Sequence, residues 1–80
     1  MKFDEAEDRL VDVIASCKGK CKPTTIGKAW MYVGIVRGSG KEDQAGARKA
    51  FAAAFAADPR VRLDEALATA ETRDSYEAAR

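Results

Sequence analysis

WMYVGIVRGSGKEDQAGARKAFAAAFAADP, residues 30–59, is the stretch whose reading decides the fold. Its opening belongs to a helix over about 25–37. Ile26, Ala29, Trp30, Val33, Gly34 and Val36 supply one broad apolar face, while Met31, Tyr32 and Ile35 add apolar groups elsewhere. A helix this apolar needs cover on more than one side, which makes it the central element. Gly38-Ser39-Gly40 breaks it, because two glycines in three residues mark a turn. A second helix follows over about 42–57. Ala47, Ala50 and Ala54 let the partner helix approach closely, and Phe51 and Phe55 fill the remaining space. Asp58-Pro59 stops it, since the residue before a proline is pushed out of the helical region.

Working outward, Phe3, Ala6, Leu10, Val13, Ile14 and Cys17 form one apolar stripe, which predicts an amphipathic helix over 3–17. Asp4, Glu5, Glu7 and Asp8 sit in its first turns, where the helix dipole favours negative charge. A loop runs from Cys17 to Pro23, and Thr24 or Thr25 is expected to cap the next helix. On the far side, Val61 and Leu63 are spaced to bury one side of a short connection, and Asp64 to Leu67 suit a single turn. Thr69 caps a last helix over 70–79, with Tyr76 and Ala79 on its inner face.

These residues resemble the tetratricopeptide repeat family, whose pattern is a large and a small residue in a first helix, Ala and an aromatic in a second, then Pro. Trp30, Val33 and Gly34 match the first helix; Ala47, Phe51 and Ala54 match the second; Pro59 closes the unit. Gly34 to Ala47 is one residue longer than the family spacing, which the Gly38–Gly40 turn can absorb. Helix 3–17 looks like the second helix of a preceding unit, so the chain is expected to be a segment of a longer protein. The resemblance implies an all-α fold of antiparallel hairpins, about four helices in a right-handed superhelical arrangement. It also implies a non-enzymatic scaffold that binds a peptide, a neighbouring helix or a second copy. The order Cys-x-x-x-Cys, hairpin, Asp58-Pro59, Leu63-Asp64 and Thr-capped helix is similar to repeat segments of bacterial envelope proteins. That likeness implies an assembly module on the outer side of the inner membrane. Ala70 stands where a Pro usually follows the capping Thr.

The family's first helix lines a groove that receives a peptide. Carried over by position, Lys28, Met31 and Ile35 are the partner-facing set, on a different face from Trp30 and Val33. The alternative is that these three bury against the first or last helix of this same domain. Trp30 is expected in the core.

Cys17 and Cys21 are the sharpest chemical signal. With Gly19 between them they can approach within the roughly 4.4–6.8 Å that a disulfide requires. Three readings stay open: a structural disulfide, two free thiols, or a redox or metal role. The spacing is not Cys-x-x-Cys, and the chain has no His and no third Cys to complete a zinc site. A loop this short restrains few unfolded conformations, so a bond there adds on the order of 2 kcal/mol at most.

Charge is uneven along the chain. Lys18, Lys20, Lys22, Lys28, Arg37 and Lys41 populate residues 16–41 with no acidic residue, whereas residues 1–15 hold Asp4, Glu5, Glu7, Asp8 and Asp12. This basic island over 16–41, with its loop lysines Lys18, Lys20 and Lys22, is expected to be solvated and partly neutralised by the acidic first helix; the alternative is contact with phosphate or an acidic partner. The loop lacks interleaved aromatic residues, and the net charge of the 80-residue chain is only +1, so no nucleic-acid partner is expected. No apolar run reaches the ~20 residues of a membrane span. Carboxylate pairs such as Asp4 with Asp8 are exposed neighbours on one helix. Without a His, a Gly-x-Ser-x-Gly turn or a phosphate loop they suggest neither an enzyme nor a cofactor.

Overall fold

The structure, a computed structural model, describes residues 3–17 and 20–80. Four helices, α1 (Phe3–Cys17), α2 (Pro23–Ile35), α3 (Gln44–Ala57) and α4 (Ala70–Ala79), pack mainly on their neighbours along the chain, most closely α2 on α3. The body measures 33 × 27 × 21 Å. It is an all-α globule of four packed helices.

α2 and α3 form the antiparallel hairpin at its centre. Small residues set their separation: a Cβ on Gly34 would run into the Phe51 ring, and one on Gly27 would lie 2.8 Å from the Asp58 Cβ. Met31, Ile35, Ala47, Phe51, Ala54, Val61 and Tyr76 make the main core cluster, with Trp30, Tyr32, Phe55, Leu63 and Ala79 packed on its edge. Phe51 meets Tyr76 edge-on at 5.6 Å between centroids, and Phe55 tilts against the same ring at 5.1 Å.

α1 and α4 keep their expected limits, and Thr69 caps α4 by accepting the Thr72 amide at 3.3 Å. α2 begins earlier than expected. Pro23 takes the first turn, where its missing N–H costs nothing, and Lys22 precedes it without a side-chain cap. Thr24 and Thr25 are therefore inside the helix rather than capping it.

The larger departure is at Gly38-Ser39-Gly40. The helix does not stop at Arg37 but widens into a π-helical turn, Val36–Gly40, closed by the Lys41 amide on the Val36 carbonyl. Glu42 then takes a positive φ of 55°, and Asp43 caps α3 through the Gly46 amide at 2.9 Å. The glycines serve here as docking points. A Cβ on Gly38 would meet Thr72 Oγ1 at 2.5 Å, and one on Gly40 would meet the Phe3 ring.

That turn ties three helices together. Arg37 donates to Glu7 at 2.9 Å and to the Gly46 carbonyl at 3.2 Å, and Lys41 reaches Asp4 at 2.8 Å. Ser39 bonds Thr72 at 2.9 Å and accepts the Thr69 amide at 3.1 Å; Gln44 bridges the Gly38 carbonyl and the Ser75 hydroxyl. Thr72 and Ser75 are buried, and among the described residues every buried side-chain N or O atom has a partner. The acidic first helix thus neutralises Arg37 and Lys41 of the basic stretch, but not the described loop lysines Lys20 and Lys22.

Candidate interaction cleft

The hairpin places the residues expected to face a partner as follows. Lys28 is exposed, but Met31 is 2 % and Ile35 6 % accessible, both in the core cluster with Val61 and Tyr76. The physical reason is the apolarity of α2 itself. α1 and α3 pack against it, and Val61 and Tyr76 close over Met31 and Ile35 in the core cluster. Of the two alternatives for this set, burial within the domain holds for Met31 and Ile35. Trp30, expected in the core, sits half-buried at its rim.

Cys17 and Cys21 are joined as a disulfide with Cα atoms 5.2 Å apart, linking the end of α1 to the approach to α2. Both sulfurs are thereby committed, and the described residues hold no free cysteine. Lys20 and Lys22 are exposed and have no ion pair among the described residues; Lys18 lies outside them. Among the described residues no group of His, Cys, Asp or Glu could hold a metal ion, and no helix is long and apolar enough to cross a membrane.

A different set of residues does converge. Between α3, α4 and the connection joining them lies an open cleft of about 610 Å³, lined by Phe55, Pro59, Arg60, Val61, Arg62, Leu63, Glu65, Tyr76, Glu77 and Arg80. Its geometry follows from residues 60–63. Val61 is buried and Leu63 packs on the core edge, so the side chains alternating with them, Arg60 and Arg62, are exposed.

Two tyrosines hold this segment in place. Tyr76 on α4 donates its hydroxyl to the Val61 carbonyl at 3.0 Å, and Tyr32 on α2 donates to Asp64 at 3.2 Å. The second bond, followed by burial and the Asp64 charge, raises the Tyr32 pKa above its ordinary value. Asp58 adds a third tie through the Arg60 amide at 3.0 Å.

The electrostatics of the cleft are lopsided. Glu77 pairs with Arg80 at 3.6 Å and Glu65 with Arg73 at 3.7 Å, whereas among the described residues no carboxylate pairs with Arg60 or Arg62. The cleft therefore combines an apolar floor of Phe55, Leu63 and Tyr76 with two uncommitted guanidinium groups. It can receive an apolar side chain and a neighbouring anion together; it presents no nucleophile with a paired base. Sequence reading located the inward residues Val61 and Leu63 but gave no weight to the arginines alternating with them, which was the available signal.

No protein-family model, no curated protein and no solved structure matches the chain.

Proposed function

We propose that this chain is a non-enzymatic protein-interaction module built on a tetratricopeptide-like hairpin, with the Arg60–Leu63 cleft as its contact surface. The observation that carries the reading is the pair of unpaired arginines beside an aromatic and aliphatic floor. Arg and aromatic residues are the side chains over-represented where proteins bind one another. Quantitative recovery from extract of the cells that express the protein tests it. Arg60→Glu/Arg62→Glu should lose partners that wild type and a charge-matched control, Arg48→Glu/Lys49→Glu on exposed α3 positions, both retain. Identical partner sets for all three proteins would end the reading.

A second reading, a structural or self-associating segment, is favoured by one observation. The apolar stripe of α1 is only partly covered: Cys17 is its one buried member, and Val13 is 51 % exposed. Light scattering decides it. On this reading the protein gains mass with concentration and Val13→Glu abolishes the gain; a monomer throughout would sink it.

A further inference from the structure

We infer that the ligand of the Arg60/Arg62 cleft is a short acidic peptide segment carrying an apolar side chain beside its carboxylates; this rests on the interaction reading above. The chemistry of the lining selects this class. Arg presents a planar fork of donors that matches a carboxylate in two parallel bonds, and Arg60 and Arg62 have none of their own. Phe55, Leu63 and Tyr76 provide the floor on which a leucine or phenylalanine side chain would rest.

The same lining argues against a polyanion. Glu65 and Glu77 also line the cleft, so a phosphate backbone charged at every step would meet carboxylates there as well as the arginines. A peptide can place its few carboxylates at Arg60 and Arg62 and keep neutral residues opposite the glutamates. Size points the same way. A cleft of about 610 Å³ falls within the roughly 300–1,000 Å³ of pockets that seat small ligands, and a folded partner needs on the order of 800 Å² per side. The backbone that carries the arginines is also held. Tyr76 and Asp58 bond the backbone at Val61 and Arg60, so less order has to be imposed when the ligand arrives.

The test is fluorescence anisotropy with a short labelled peptide alternating Glu with Leu and Phe, beside a twin in which each Glu is Gln. The Glu peptide should bind saturably and weaken as salt rises, and the Gln twin should bind about tenfold more weakly or not at all. Arg60→Glu/Arg62→Glu should lose binding about as far, while Arg48→Glu/Lys49→Glu, with the same change of net charge, should retain it. Circular dichroism of each variant separates lost binding from lost fold. Equal binding of the Gln twin would overturn the acidic class yet leave an interaction cleft standing. Equal loss in both double variants would overturn the site, because attraction to overall charge would then explain the binding. Tighter binding of a single-stranded oligonucleotide of equal charge would also overturn the inference. So would absence of any Glu-peptide binding, whereas the interaction reading fails separately, on recovery of identical partner sets from extract.

Discussion

The two connections that flank α3 are built on opposite principles. At one end, the π turn over Val36–Gly40 spends its polar groups internally: Arg37 and Lys41 on α1, Ser39 on α4, and the Gly38 carbonyl on Gln44. At the other, residues 58–64 are pinned by Tyr76, Tyr32 and Asp58, but the pins use backbone and Asp64 and leave Arg60 and Arg62 unpaired. Both segments are ordered by hydrogen bonds, yet only one has charge to spare. Being basic does not by itself make a loop a binding site; what decides is whether its partners are already in the fold.

The largest expected effect falls on the committed connection. Gly38→Leu drives a side chain into Thr72, in a region where every buried polar atom is already satisfied. It should cost about 3 kcal/mol, since overpacking a filled site forces neighbours off their rotamers. Urea unfolding that shifted by less than about 0.5 kcal/mol would show that this end is not a packed hub.

Thr72→Val comes next. It removes a buried hydroxyl that contacts both Ser39 and the capping Thr69, and should cost about 1–3 kcal/mol by the same assay. An unchanged midpoint would mean that the seam between α4 and the π turn carries little weight.

Tyr76→Phe crosses to the other connection. It keeps the ring against Phe51 and Phe55 but leaves the Val61 carbonyl without its donor, at about 1 kcal/mol. Peptide affinity should fall with it although no arginine is touched. Full affinity in this variant would show that the tyrosine pin does not position the cleft.

How much of this was legible follows from how local each signal is. The limits of α1 and α4 could be read because a continuous apolar stripe and a capping Thr69 are short-range features. The π turn could not, because Gly-Ser-Gly reads as a stop unless Phe3 and Thr72, distant in sequence, are known to pack against its glycines. The Lys28, Met31 and Ile35 assignment came from a family's geometry, and it competed with the all-round apolarity of α2; burial won for Met31 and Ile35. The alternation of Arg60-Val61-Arg62-Leu63 was present in the sequence, but the tyrosines that fix it lie 15 and 32 residues from their acceptors.

Alkaline pH gives a smaller effect that samples both ends. Tyr32 is raised above 10.0 chiefly by its hydrogen bond to Asp64, and Lys41 above 10.5 chiefly by its hydrogen bond to Asp4. Each keeps its proton longer when folded than when unfolded. Their contributions are therefore complete below the unfolded values and are lost as pH rises through the raised ones. Thermal melts should show stability falling above about pH 10, with a shallower fall in Tyr32→Phe. An identical slope in that variant would remove Tyr32 from the account.

Arg60→Glu/Arg62→Glu should have the smallest effect on stability, within about 0.5 kcal/mol, because neither side chain has a partner in the fold to lose. That contrast leads to the most direct test of the difference between the two connections: backbone amide shifts in NMR during titration with the acidic peptide. The account predicts saturable changes concentrated at residues 59–65 and 76–80 and quiet amides over 36–44. Changes centred on the π turn or on Lys20–Lys28, or none at saturating peptide, would contradict it.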